Sequence, residues 1–327
     1  MLRRTALCLA FGLTGLLLAP STAFADAPVW DANKVQLAPQ QLAPGVWAMV
    51  PTGADQLSPK GVPLATTAGV IVGSRASLVV DTMLNKRLAD MVLAHARKVH
   101  GGKAPAFAVN TSYHGDHSYG NMYLPASTVI IQHATTKDYV DKSFEADTKF
   151  MIGAFGKGRG IEQIQPRTGS VLVPKGGALL LDLGGKQVEL RDFGFAQTGG
   201  DLWVWIPQDK ILFAGNPVVT EKPGIPWLLD GHVQESLDTL VRVKAFLPAG
   251  ATIVPGHGRR LPKDGLDWHI AYLQELRDQV KAAVDRGESV EQVVASVPMT
   301  NFRGYGIFDW IHKQVNVPAA YKEFKKP

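Results

Sequence analysis

"NTSYHGDHSYGN", residues 110–121, sets His114, Asp116 and His117 within four positions and places Ser112 two residues ahead of them. Imidazoles and a carboxylate this close in sequence converge on one cation only if the chain turns, because an extended strand sends successive side chains to opposite faces. Gly115 and Asp116 favour a turn. A plain solvated turn has the same composition, so the flanking sequence has to decide. Immediately upstream, "AFAVNT" (106–111) is an apolar strand delivering polar residues at its C-terminal end, where open α/β sheets place their chemistry. Far downstream, "ATIVPGHG" (251–258) repeats the arrangement and ends on a glycine-flanked His257. Two such turns at strand ends can meet at one sheet edge.

The pattern around these turns is rich in short β runs. "VWAMV" (46–50) comes first, and "AGVIVG" (68–73) and "SLVVDT" (77–82) then read as a hairpin that Asp81 closes. Leu88, Met91, Val92, His95 and Val99 recur at spacings of three and four, which predicts a helix over 86–99. "STVIIQH" (127–133) reads as a strand, and 135–167 as a helical or irregular insert whose "GAFGKGRG" is a mobile loop. Five further β runs follow: "ALLLDL", "KQVELRDFG", "DLWVWIP", "KILFAGN" and "ATIVPGHG". Between the last two lie the loop "PVVTEKPGIPWLLDGH" (217–232) and a helix over 233–246. Residues 266–286 read as a long surface helix, and "FRGYGIFDW" (302–310) with the tail after it as a cover for an edge or a neighbour. Strands in both halves with helices between them predict a layered sandwich, helices outside and two sheets inside.

Residues 1–25 read as an export signal: Arg3 and Arg4, an apolar run from Ala6 to Ala19, then Ala23-Phe24-Ala25 as a cleavage site. The apolar run is too short to span a bilayer. The mature chain is therefore expected to begin near Asp26, to be periplasmic or secreted, and to carry no membrane span. Residues 26–327 are read as one domain with a C-terminal helical tail. Cys8, the one cysteine, lies inside the signal, so the mature chain has neither a disulfide nor a thiolate ligand. Loss of two arginines and no acids lowers the formal net charge from +5 to +3, too little and too dispersed to argue for nucleic acid. A small molecule is the expected partner, and the oligomeric state is left open.

In this order, "GVIVG", "LVVDT", "NTSYHGDH", "QTGGDLWVWIP", "ILFAGN" and "IVPGHG" resemble the metallo-β-lactamase fold superfamily, over most of the chain from Trp47 to Arg260. The resemblance implies an α/β fold, an αββα four-layer sandwich with its metal centre at one sheet edge. The superfamily includes β-lactamases, thioesterases, lactonases, sulfatases, phosphodiesterases and a few iron dioxygenases, so the fold does not fix the reaction.

Carried over residue by residue, the ligand set is incomplete. The family string H-x-H-x-D-H becomes Ser112, His114, Asp116 and His117. Gln197 stands where a later histidine is expected, Asn216 where an aspartate bridges two metals, and His257 is kept. The changes fall on one of the family's two sites. Ser112, His114 and Gln197 would serve the first metal, and a single imidazole beside a hydroxyl and neutral amides binds a dication poorly. That site is expected to be empty. The second keeps Asp116, His117 and His257, the ligand count of a catalytic zinc site, which also suits ferrous iron.

The resemblance therefore implies a hydrolase with one divalent metal, zinc before iron, opening an ester, thioester, lactone or similar acyl bond through a metal-bound hydroxide. His114 reads either as a general base freed from metal duty or as a hydrogen-bonded relic of the lost site. Asp81 is read as support behind a ligand. Trp227 with Pro226 reads as an apolar wall, Tyr113 and Tyr119 as the mouth of the pocket or simply packed, and His232 as a substrate-loop residue or a surface cap. The other class of reading is a catalytically inactive protein that binds a ligand or partner on the same scaffold.

Overall fold

The computed structural model describes residues 29–325, so the reading of 1–25 as an export signal lies outside the described residues. Among the described residues, no helix is long and apolar enough to cross a membrane. Seven strands form the first sheet in sequence order: β1 (Leu37–Ala43), β2 (Val46–Pro51), β3 (Ala68–Val72), β4 (Ser77–Val80), β5 (Phe107–Val109), β6 (Val129–His133) and β7 (Val171–Val173). Pairing is antiparallel from β1 to β4 and parallel from β4 to β7.

Parallel neighbours need a crossover, which helices supply here. A short α1 (Ala54–Leu57) precedes β3, and α2 (Lys86–Val99) connects β4 to β5. The single turn α3 (Gly115–Ser118) follows β5, and α4 (Ala134–Phe155) connects β6 to β7. Asn85 starts α2 by accepting the amide of Leu88 at 3.0 Å, and the helix buries Leu88, Ala89, Val92, Leu93 and Ala96. His95 packs edge-on against Trp47 on the border of that face.

The second sheet has the order β13-β12-β11-β10-β9-β8. Its strands are β8 (Ala178–Asp182), β9 (Gln187–Arg191), β10 (Trp203–Ile206), β11 (Ile211–Gly215), β12 (Thr252–Pro255) and β13 (Leu261–Pro262). Only β11 and β12 run parallel, joined through α5 (Val233–Phe246). The chain then forms α6 (Leu266–Asp285), α7 (Val290–Ser296), a π-helical stretch Trp310–Asn316 and α8 (Val317–Phe324).

Alternation along the strands builds the layers. Leu78, Val80, Val109 and Ile131 of the first sheet meet Val204, Ile206, Phe213 and Val254 of the second in one buried cluster. Their neighbours Val79, Ala108 and Ile130 face the opposite way, toward α2 and α4. Trp203, Trp205, Leu212 and Ile253 likewise pack under α5 and α6. Three apolar interfaces separate four layers, and the fold is the αββα sandwich.

The structure sharpens three local readings. The insert over 135–167 is mostly the 22-residue helix α4, and "GAFG" is its C-terminal end. The loop after it is held down, since Asn85 donates to the Arg159 carbonyl at 2.7 Å and Arg159 pairs with Asp31 at 2.7 Å. Helix α6 is no mere surface helix, because Tyr272, Leu273, Leu276 and Val280 are fully buried between α5 and the tail. Strands β1 and β7 carry no clear pattern in sequence; both lie at the edges of their sheet, where one side of the backbone has no strand partner.

Candidate metal centre

Strands β4, β5, β11 and β12 end at a common edge of the sandwich, and each is followed by a polar residue of the site: Asp81, Thr111–His117, Asn216 and His257. The two sheets are stapled there. Thr66 bridges His257, the Thr67 amide donates to the Gly256 carbonyl at 2.8 Å, and the Thr67 hydroxyl to the Gly258 carbonyl at 2.7 Å. The "HGDH" turn is pressed into place by close contacts. A Cβ on Gly115 would come within 2.3 Å of the Tyr119 ring, and one on Gly120 within 1.7 Å of the Thr82 carbonyl oxygen. Only glycine fits at either position.

Asp116, His117 and His257 form a buried group whose ligand atoms lie within 4.8 Å of one another. Asp116 Oδ2 is 3.5 Å from Nε2 of His117 and 3.5 Å from Nε2 of His257. Each imidazole is held from behind. Nδ1 of His117 bonds to Asp81 Oδ2 at 2.7 Å, and Nδ1 of His257 bonds to the Leu64 carbonyl oxygen at 2.9 Å. In the neutral tautomer with Nδ1–H donating backward, each Nε2 turns to the centre with the lone pair that a cation would take. Among the described residues, the buried Nε2 of His117 makes no hydrogen bond of ordinary geometry.

Asp81 sits in the left-handed region at φ 59°, and its carboxylate also accepts the Thr111 amide at 2.7 Å and the Thr111 hydroxyl at 2.8 Å. These bonds hold a backbone conformation that few residues other than glycine adopt. Thr66 donates its hydroxyl to Asp116 Oδ2 at 2.7 Å.

The electrostatics suit a cation. Burial disfavours charge on His117, but the Asp116 and Asp81 carboxylates outweigh it and push its pKa up to about 9. Burial works against Asp116 as well, yet His117, His257 and the Thr66 hydroxyl hold its carboxyl below the usual range. His257 is lowered by burial against the pull of Asp116. Burial takes His114 down to about 4, so that ring is neutral.

The three changed positions are all buried around His114. Ser112 accepts the His114 amide at 3.3 Å, a turn-stabilising bond that a hydroxyl oxygen can make. Asn216 lies with Nδ2 3.4 Å from Nδ1 of His114. Gln197 approaches His114 closely enough to favour its protonated form, but neither atom of its amide makes a hydrogen bond of ordinary geometry. Its backbone is fixed by Asp201, which accepts the amides of Gln197 and Thr198 at 2.7 and 2.9 Å. His114 is not part of the metal-ligating group.

A narrow cleft lies over Asp116 and His257, with His114 and Asn216 also in its lining. Trp227 forms a wall, stacked on His257 with ring centroids 6.2 Å apart. Of the two readings of His232 the structure has the surface cap: it is the half-exposed N-cap of α5, paired with Glu235 at 2.9 Å and outside the cleft lining. Tyr113 and Tyr119 do not line it either. Tyr113 stacks on Tyr139 at 3.7 Å and donates to Asp230, while Tyr119 donates to Asp147 at 2.6 Å beneath the turn.

Among residues that sequence reasoning missed, Thr66 and Leu64 precede β3 with no motif to mark them. Trp30, Phe150, Phe155, Tyr305 and Trp310 complete the cleft from segments far apart in the chain. Aromatic content was their only signal, and "FRGYGIFDW", read as an edge cover, supplies two of them.

A family model for the metallo-beta-lactamase superfamily matches residues 61–257. No curated protein matches the chain in sequence. Among solved structures, a metallo-beta-lactamase from Pontibacter korlensis is 18% identical, with TM-score 0.56, covering 73% of this chain and 99% of that one. The DIM-1 metallo-beta-lactamase is 16% identical, with TM-score 0.55, covering 74% and 99%. VMB-1 is 17% identical, with TM-score 0.56, covering 73% and 97%.

Proposed function

The chain belongs to the metallo-beta-lactamase superfamily, and from that premise we propose that it is an exported, metal-dependent hydrolase that works with one divalent cation. Its substrate is an ester, thioester, lactone or similar acyl compound. The observation that carries this reading is the orphaned Nε2 of His117, buried opposite Asp116 and His257. Two imidazole nitrogens and one carboxylate match a zinc site with open positions, and ferrous iron accepts the same set. Bound there, the cation would act as a Lewis acid toward a substrate carbonyl and lower the pKa of water toward neutrality.

The chain's own residues do the rest. Asp81 and the Leu64 carbonyl fix the tautomers of His117 and His257. Thr66 orients Asp116. His114, on the cleft lining beside Asn216, is placed to take and return the proton that hydrolysis moves. Asn216 offers its amide to that ring or to a substrate oxygen. The neutral residues at Ser112, Gln197 and Asn216 support a single occupied site, and export rests on residues 1–25.

Metal analysis of protein purified without chelator tests the reading. About one equivalent of zinc or iron is expected, with turnover of a generic ester that chelator stops and His257→Ala abolishes. Less than about one-tenth of an equivalent of any transition metal would sink it. Those same three neutral replacements favour a second reading, a binding protein without turnover, which predicts thermal stabilisation by a ligand with no chelator-sensitive hydrolysis.

A further inference from the structure

The chain beyond His257 lies outside the residues 61–257 that the family model matches, and its last segment returns to the candidate centre. Asn316, at the end of the π-helical stretch, is fully buried. Its Oδ1 accepts the Leu228 amide at 2.9 Å, and its Nδ2 donates to the Pro226 carbonyl at 2.7 Å and to the Tyr272 hydroxyl at 2.8 Å. The Pro226 carbonyl and the Leu228 amide belong to the two peptide units that meet at the Cα of Trp227. Since peptide units are rigid planes, tying both to one carboxamide fixes φ and ψ of Trp227. The carboxamide is itself held. Tyr272 accepts from Asn316 and donates its own hydrogen to Nδ1 of His312 at 2.9 Å, whose Nε2–H donates to the Val297 carbonyl at 2.7 Å. The same tail packs the indole, because the ring centroids of Trp310 and Tyr305 lie 5.7 and 6.5 Å from that of Trp227. It also holds the far end of the loop, where Glu323 of α8 accepts the amides of Val233 and Gln234. Trp227 in turn stacks on His257, with ring centroids 6.2 Å apart and planes 21° from parallel.

We propose that the C-terminal tail is a positioning device for the candidate metal centre, and that Asn316 is the positioning residue that sets Trp227 against His257. The proposal goes beyond the hydrolase reading and does not depend on turnover. A carboxamide at this depth is costly unless its hydrogen bonds are made. Ile311, Val317 and Ala320, its neighbours in the tail, are fully buried and apolar, so the packing of the tail does not call for one. The loop does, because its buried Leu228 amide and Pro226 carbonyl are paired through Asn316. π-Helical turns are rare and are found often at functional sites. This one carries Trp310 against the ring of Trp227 and Asn316 on its backbone. His257 is thereby fixed twice, at Nδ1 by the Leu64 carbonyl and across its face by the indole.

The full mature chain in excess zinc, with its histidines labelled at Cε1, reports the ring current of Trp227 at His257. The His257 signal is the one missing in His257→Gln, and Trp227→Leu gives its position without the indole. In Asn316→Ala, and in the equal-sized Asn316→Asp, that signal should move most of the way to the Trp227→Leu position. Exchange of the Leu228 amide should quicken by about tenfold or more, the scale of one lost buried hydrogen bond. Val280→Ala separates positioning from stability, since it opens a cavity in α6 and leaves the carboxamide bonds in place. It should lower Tm and leave the His257 signal where it is. Folded Asn316 variants with His257 and Leu228 unchanged would overturn the proposal, and so would a Val280→Ala protein in which His257 moves as far. Should the Asn316 variants not fold, the parent and Tyr272→Phe decide. In the parent the Leu228 amide should exchange as slowly as the amides within α6, and exchange at the rate of an open loop would sink the proposal. Tyr272→Phe removes one anchor of the carboxamide and should move His257 the same way by less; no movement there counts against Asn316. None of these readouts involves turnover, so an inactive protein overturns the hydrolase reading and leaves the positioning role in place.

Discussion

Asp81 Oδ2 and His117 Nδ1 stand 2.7 Å apart with both side chains almost wholly buried, one at the end of β4 and the other in the turn after β5. The contact fixes which nitrogen of His117 faces the centre. It also links the two strand ends, since the same carboxylate accepts two bonds from Thr111.

Replacing Asp81 with alanine should therefore weaken metal binding by about 10–100-fold, because the imidazole loses the acceptor that orients it and raises its basicity. Competition with a chromophoric chelator measures the change. Unaltered zinc affinity in a folded Asp81→Ala protein would remove Asp81 from the site.

The degenerate positions can be reversed. Ser112→His, Gln197→His and Asn216→Asp together would surround His114 with two imidazoles and a shared carboxylate. Metal content is expected to rise from one to two equivalents per chain. A triple variant that still binds one metal would show that the surrounding backbone, and not these three side chains, sets the stoichiometry.

Beneath the turn, burial pushes Asp147 up to about 7 from 3.8, although the Tyr119 hydroxyl donating to it opposes the shift. Between these two values the unfolded chain has lost its proton while the folded chain keeps it, so stability falls as pH rises through that window and then levels off. Asp147→Asn keeps an acceptor for Tyr119 and removes the titration. Denaturant unfolding at pH 8 should show the variant more stable than the parent by roughly 2–4 kcal/mol, the linkage equivalent of the shift. At pH 4 the two should agree, and equal stability at both values would place Asp147 in water.

Two glycines should respond in opposite senses to alanine. Gly153 lies inside α4, and a Cβ there would meet nothing within 4 Å. Gly153→Ala should add about 0.5–1 kcal/mol from helix propensity alone. Gly120→Ala drives a methyl into the Thr82 carbonyl and should unfold the turn, with metal binding lost alongside stability. Thermal denaturation of both variants checks the pair, and a tolerated Gly120→Ala would contradict the packing of the site.

Local periodicity made much of this protein legible. The pattern of Leu88, Val92 and their neighbours marks α2 with the bounds it has in the structure, and the unbroken apolar run in "DLWVWIP" marks the fully buried β10. Such patterns work because a helix or strand repeats its orientation every few residues, so burial on one face writes itself into neighbouring letters. The ordered motifs carried the fold, and "HGDH" with "PGHG" named the three ligand candidates. His232 was harder to place. A histidine in a loop beside a site has the same letters whether it points inward or caps a helix, and the left-handed turn at Gly231 and His232 sends it out to Glu235.

What the sequence determined by itself was the order of most strands and of the long helices, the αββα class, and the residues able to bind a metal. Tertiary structure alone decided that the Leu64 carbonyl stands behind His257, and that Trp30 and Phe155 from one apolar cluster line the same cleft as Trp227 and Trp310 from another. The physical reason is distance along the chain. Convergence depends on where parallel crossovers return each strand and on which helix faces cover it, and no local repeat records that geometry.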